Sequence, residues 1–281
     1  MKIQPEASLV ERARGGDLHA LNALLLHIQG PVYNLAVRML GRREDAQDAT
    51  QEILLKVTTH LGTRRGESAF GTWVFGIAGH HLLNARQRAP GRRELSFEVL
   101  GESLEAGEAY AQRIGWTAQA LSPEDKLAAR ETALSCTQAM LMCLDAPGRL
   151  AYMLDVVFGL ESPQAAEVQG ISAAAHRQRL SRAREAVHGF MAKRCGLVSE
   201  RAACHCARQV PGKRAAAAAG LLAPGLEVSR SELDAAEQSL QQLVRMSDAA
   251  AVMRGAPQYA APEALLRGIR LVVEQSPMFR Q

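Results

Sequence analysis

The chain is 281 residues long, which gives room for two or three small domains, each able to bury a core. Lys and Arg (33) only slightly exceed Asp and Glu (29), so the net charge of +4 does not mark a nucleic-acid binder by itself; the distribution of charge has to decide. Aromatic residues make up 4%, Ala and Leu are plentiful and β-branched runs are scarce, which excludes a sheet-built protein and predicts an all-α fold.

No apolar leader follows Met1 and Lys2, and no run approaches the roughly 20 apolar residues of a membrane span. A soluble, cytoplasmic protein without membrane insertion is expected. Five cysteines, three of them clustered, do not make a disulfide framework.

From Ser8 to Leu40, apolar residues recur at intervals of three and four: Leu9, Val10 and Ala13, then Leu21, Leu24, Leu25 and Ile28, then Val32, Leu35, Ala36 and Met39. Gly15-Gly16-Asp17 and Gly30-Pro31 punctuate this pattern, predicting three helices with short loops. A further helix runs from about Glu44 to His60 with Ala46, Ala49, Ile53 and Val57 on one face. Asp45, Asp48, Gln51, Glu52 and Lys56 fall on another and form a polar stripe. A loop with Arg64, Arg65 and Ser68 leads into a helix from Thr72 to Arg88. There Trp73, Ile77, Ala78 and Leu82 face a bundle, and His80, His81, Asn84, Arg86 and Arg88 are polar or basic.

Between Pro90 and Glu124 the periodicity fades into acidic residues interspersed with glycine, which reads as a flexible acidic linker. Helical patterning resumes at Ser122-Pro123-Glu124-Asp125, where a cap, a first-turn proline and acids suit a helix N-terminus. Cys136 and Cys143 lie on one face of this helix as core residues. A helix over Leu150–Val157, a short one after Ser162-Pro163, a turn at Gly170-Ile171-Ser172 and a longer Arg-rich helix follow. That order is a helix-turn-helix, whose second helix fits the DNA major groove. Arg177, Gln178 and Arg182 point outward when Leu180, Ala183 and Val187 point in, while His176 falls on the inward seam as a partly buried histidine.

Two blocks carry a resemblance. Asp45-Ala46-Gln47-Asp48-Ala49-Thr50-Gln51-Glu52 with Phe70-Gly71-Thr72-Trp73-Val74 resembles region 2 of bacterial RNA polymerase sigma factors of the extracytoplasmic-function type. Ile171-Ser172 through Arg179-Leu180-Ser181-Arg182-Ala183-Arg184 resembles region 4 of the same family. The resemblance implies a region 2 bundle over 1–89, a linker over 90–122 and region 4 over 123–194, with a helical extension over 195–281. It implies that Asp45, Asp48, Gln51 and Glu52 dock on core RNA polymerase. It also implies that Arg64, Arg65, Ser68, Trp73, His80, Asn84 and Arg88 read the separated −10 strand, and that Ser172, Arg177, Gln178, Arg179 and Arg182 meet the −35 duplex. His80 stands where the family commonly has Asn, and Gln47 where it commonly has Glu. The linker serves either as a plain tether or as an occupant of the RNA exit path.

The function expected is promoter-specific initiation with core polymerase; the alternative, a stand-alone helix-turn-helix regulator, needs only the second block. No carboxylate pair, nucleophile with base or phosphate-cradling loop stands out, so no enzymatic activity and no required cofactor is expected.

The extension opens with Cys195, Cys204, His205 and Cys206. Zinc binding there, with His188 as another fourth ligand, stands beside a structural thiol cluster, a redox switch and an incidental grouping. An Ala-rich basic tether over 211–224 then leads to two amphipathic helices, from Ser229 to Val244 with a Ser229–Glu232 capping box, and from Pro262 to Val273. This appendage suits regulation in cis, beside an anti-sigma factor as a partner in trans.

Overall fold

Helix ends fall where the sequence supplies capping groups. In the computed structural model, which describes residues 3–87, 95–117, 121–219, 249–254 and 258–266, the Asp17 carboxylate accepts from Ala20 N and Ser96 Oγ from Val99 N. Ser122 Oγ accepts from Asp125 N. The elements are α1 (Ala7–Arg14), α2 (Leu18–Leu40), α3 (Arg43–His60), α4 (Phe70–Gln87), α5 (Phe97–Arg113) and α6 (Pro123–Met142). They continue with α7 (Ala146–Tyr152), which runs into a π-helical turn (Met153–Val157), then α8 (Ser162–Gln169), α9 (Ala173–Arg194), α10 (Cys206–Ala218) and α11 (Ala249–Arg254). Among the described residues the sole strand-like pairing is an isolated bridge between Cys195 and Cys204. No described helix is long and apolar enough to cross a membrane.

The residues group into two compact units. The first comprises 3–87, 150–180 and 259–266; the second comprises 95–149 and 181–258 within the described ranges. The span expected to form region 4 as one domain, 123–194, is therefore shared between them.

In the first unit α1 to α4 form a bundle. The break expected at Gly30-Pro31 is absent, and α2 runs through Pro31. A proline inside a helix costs about 3 kcal/mol, but the apolar stripe on either side is continuous and Leu21, Leu24, Ile28, Val32, Leu35 and Met39 are all buried. Packing thus overrides the local penalty, and Asn34 Nδ2 supplies a donor to Gly30 O at 2.9 Å. The helix-turn-helix's first helix joins this bundle. Gly79 of α4 sits against Leu150 and Val168, where an added Cβ would stand 3.2 Å from the Leu150 side chain, and Phe75 meets Phe158 edge-on at 5.0 Å. The chain's later segment reaches this unit through Tyr259. Asn34 donates to Tyr259 O and accepts from Tyr259 N, both at 2.8 Å, and Arg38 and Arg43 lie 5.1 and 5.3 Å from its ring centroid.

The second unit overturns two expectations. Residues 97–113, read as flexible linker, form α5, with Leu100 and Ala111 buried. Residues 211–218, read as tether, continue α10, which packs on both α5 and α6. Two of the glycines that suggested flexibility, Gly101 and Gly107, are contact positions: α5 and α10 cross where a Cβ on Gly212 would fall 3.1 Å from the Gly107 Cα. Side chains across such a crossing bury little area, so no long apolar stripe is needed, and Gln209 fastens the pair by donating to Leu104 O at 2.9 Å and Glu108 at 3.1 Å. Arg149 is fully buried and donates to the carbonyls of Leu141, Met142 and Leu144 at 2.6, 3.0 and 2.7 Å. Leu141 and Met142 end α6 and Leu144 lies just beyond it, where a cation is favoured; Leu141 O also accepts from Leu144 N at 3.1 Å. The Ser229–Val244 helix with its capping box, and most of the Pro262–Val273 helix, lie outside the described residues.

Candidate polymerase and nucleic-acid interfaces

The acidic stripe lies on α3, whose opposite face buries Ala46, Ala49, Ile53, Leu54 and Val57. Asp48, Gln51 and Glu52 are exposed and Asp45 is half-buried. Glu44 and Asp45 occupy the first turn, where negative charge suits the helix dipole. Glu52 is held toward α4: His81 Nδ1 stands 2.9 Å from Lys56 Nζ and its Nε2 stands 3.8 Å from Glu52. An ammonium can only donate, so His81 accepts at Nδ1 and carries its proton on the nitrogen facing Glu52. Lys56 therefore sets the edge of the acidic surface.

The loop before α4 turns at Gly66, whose φ of +77° is a left-handed conformation that glycine adopts without strain. Arg64 folds back to donate to Ser68 O, and its guanidinium lies 5.7 and 5.9 Å from the ring centroids of Phe70 and Trp73. Phe70 and Trp73 are 5.8 Å apart. Arg64 thus stiffens the loop and props Trp73, whereas Arg65 is exposed, with only a 3.9 Å ion pair to Glu67. The buried seam of α4 is Val74, Phe75, Ala78 and Leu82. Trp73 and Ile77, expected on that seam, are half-buried at its edge, which leaves an indole face available to a base. His80 and Asn84 are exposed one turn apart, with His80 Nδ1 3.3 Å from Gly76 O, and Ser68 is half-buried. Arg88 lies outside the described residues.

The helix-turn-helix is built from local signals. Glu161, one residue before the expected start, forms a capping box with Gln164. Gly170 closes α8 at a φ of +64°, and Ser172 Oγ caps α9 by accepting from Ala175 N at 3.2 Å. Ser172 is thus committed to the turn. On α9, Arg177, Gln178 and Arg182 are exposed. Arg179 is half-buried and donates to Gln169 Oε1 at 2.9 Å, while the Gln169 amide nitrogen meets His176 Nδ1 at 2.7 Å and Ala165 O at 3.1 Å. His176, expected to be partly buried on the seam, is fully buried. Gln169 was missed by sequence reasoning, since links over seven and ten residues across a turn leave no periodic signature. It locks α8 to α9 and diverts Arg179 to a positioning task.

The cysteine-rich stretch folds so that Cys195 and Cys204 pair as neighbours, with Gly196 N donating to Cys204 O at 2.9 Å. Cys206 opens α10. His205 turns its imidazole against Gly196, where an added Cβ would lie 2.6 Å from Nδ1. Cys195, Cys204 and Cys206 instead line an apolar cavity with Cys136 of α6, and neither His205 nor His188 is among its lining residues.

Comparison with known proteins agrees with the two blocks. Residues 24–90 match the family model Sigma-70 region 2, and residues 134–187 match Sigma-70, region 4. The chain is 32% identical to the RNA polymerase sigma-H factor of Pseudomonas aeruginosa over 66% of this chain and 92% of that protein. It is 31% identical to the ECF RNA polymerase sigma-E factor of Escherichia coli K12, over 64% of this chain and 90% of that protein. Among solved structures it is similar to CnrH in complex with the cytosolic domain of CnrY, with a TM-score of 0.44 and 21% identity, covering 66% of this chain and 95% of that one. The chain belongs to the sigma-70 family of RNA polymerase sigma factors, in its extracytoplasmic-function branch.

Proposed function

We propose that this sigma factor works in the cytoplasm, docking on core polymerase through Asp45, Asp48, Gln51 and Glu52 of α3. It reads the −10 strand with the Arg64–Ser68 loop, Trp73, His80 and Asn84, and the −35 duplex with Arg177, Gln178 and Arg182. The observation that carries this reading is the presence of an exposed acidic helix and exposed basic α9 in one chain. Opening about ten base pairs costs on the order of 14 kcal/mol at roughly 1.4 per step. Specific over non-specific DNA binding typically supplies about 4 to 10 kcal/mol. The shortfall has to come from a partner, and the acidic face is the surface that recruits it.

The chain contributes recognition and no chemistry of its own. A stand-alone helix-turn-helix regulator would leave the whole α3–α4 block without a task. The Tyr259 segment, seated on α2 and beside Arg43 at the start of α3, supports regulation in cis by the C-terminal extension. Run-off transcription with purified core polymerase and this protein alone tests the assignment: promoter-dependent transcripts are expected, and failure to form a stable complex with core refutes it.

A further inference from the structure

Cys136, Cys195, Cys204 and Cys206 come from three separate places, α6, the bridge and the first residue of α10, yet all four line one apolar cavity. A free cysteine packs in an apolar wall as a small hydrophobe, but four of them on one cavity also bring together the sulfur donors that a zinc ion takes. Backbone amides of Leu197 and Val198 are directed at the Cys195 sulfur, and the Gln209 side chain at the Cys204 sulfur. Such donors orient thiolates and stabilise their charge in metal centres. Lys213, half-buried and bonded to Ser135 Oγ at 2.9 Å, lies near Cys136 and Cys206 and supplies a compensating cation. Burial holds all four groups as neutral thiols, with Cys204 pushed up to about 11 and Cys206 to about 12, so they are poor nucleophiles toward oxidants. A divalent ion changes that, because coordination deprotonates a thiol outright.

We propose that Cys136, Cys195, Cys204 and Cys206 form a tetrahedral four-thiolate site for a zinc ion that ties α6 to the start of α10. Binding replaces four S–H bonds by four Zn–S bonds and releases four protons, leaving a net charge of −2 that Lys213 partly offsets. Among the described residues no three ligand-type side chains already stand close enough to share an ion, so the cysteine side chains have to rotate toward the ion for the site to form. The site differs from the Cys195, Cys204, His205, Cys206 set suggested by the sequence, because the exposed His205 does not line the cavity and Cys136 does. The proposal is independent of the sigma-factor assignment.

The test uses full-length protein purified under reducing conditions. One zinc per chain is expected by elemental analysis, and cobalt substitution should give the intense thiolate charge-transfer and d–d bands of a tetrahedral four-sulfur site. C136S should lose stoichiometric zinc, H205A and C143S should keep it, and Q209A should weaken affinity about 10- to 100-fold. C136H guards against simple unfolding: it should retain the ion with a cobalt spectrum shifted toward three sulfurs. Absence of stoichiometric zinc overturns the proposal, as does a C136S protein with an unchanged cobalt spectrum. A Cys195–Cys204 disulfide in the freshly purified protein, seen as a mass loss by peptide analysis, also overturns it.

Discussion

The contact between Asn34 and Tyr259 separates two costs that are usually confounded. Asn34, with 2% of its surface exposed, serves both backbone groups of Tyr259, itself 4% exposed, and also accepts from Arg38 Nη1 at 2.8 Å. In N34A the Tyr259 N–H and C=O stay buried without those partners. A buried backbone group left unsatisfied costs about 1 to 3 kcal/mol, so N34A should destabilise the full chain by about 2 to 4 kcal/mol. In a chain ending at Arg254 the same substitution should cost about 1 kcal/mol or less, since water reaches α2 and satisfies what remains. The assay is urea unfolding followed through Trp73 fluorescence in a W116F background, run as a double-mutant cycle between N34A and the truncation. Equal destabilisation in both chains would show that Asn34 matters only within α2 and would refute the clamp. A truncated chain that binds core polymerase more tightly would in addition connect the clamp to regulation.

On α9, R182A and R177A should each reduce discrimination at the −35 element by about 1 to 3 kcal/mol, measured by competition binding, with the melting temperature unchanged. R179A should instead lower the melting temperature, because it frees Gln169 from one of its partners and loosens α8 against α9. On α3, charge reversal by D48R or E52R should abolish core binding in pull-down while leaving circular dichroism unaltered, since both side chains are exposed. G212L should unfold the α5–α10 crossing, because a Cβ there would already stand 3.1 Å from the Gly107 Cα, a backbone atom that cannot swing aside; loss of amide-exchange protection confined to α5 and α10 is the expected readout. In metal-free protein the cavity thiols, raised above their ordinary 9.0, favour folding fully below pH 9, and that contribution is lost as pH climbs through about 11 to 12. Melting temperature should therefore fall over that range, and a C204A, C206A double variant should fall less.

How far the sequence speaks depends on whether a signal is local. The α3 stripe, the Ser122 cap and the Gly170-Ile171-Ser172 turn are set by residues within one or two turns of each other, and each was legible. The α2 helix was misread at Pro31 because a breaker was weighed without the apolar stripe that spans it. α5 was misread because Gly101 and Gly107 look like linker residues until their neighbours are known; the surface they meet belongs to α9 and α10, some ninety to one hundred residues later. Arg149, Gln169 and Cys136 failed for the same reason: each acts on groups that no periodicity places beside it. Cys136, expected in the core, is only half-buried, and the cysteines that share its cavity lie across the unit.

The candidate DNA-reading side chains divide by how they are held, and that division bears on mechanism. Arg65, Arg177, Gln178 and Arg182 are exposed and retain the conformational freedom that binding must remove, which costs about 0.5 to 1.5 kcal/mol for each side chain immobilised. Arg64 and Arg179 have already been ordered by Ser68, the two aromatic rings and Gln169. A cation whose donors are committed to its own fold contributes field and rigidity more than new hydrogen bonds. Base reading then falls to the free residues, and precision to the anchored ones. Trp73 shows the gain: Phe70 and Arg64 fix the ring before a base arrives, so stacking, at about 1 to 3 kcal/mol per base, is not spent on ordering the platform. In the proposed docking, polymerase at the acidic face would supply what these contacts lack, and the protein's own residues would determine where on the DNA that energy is applied.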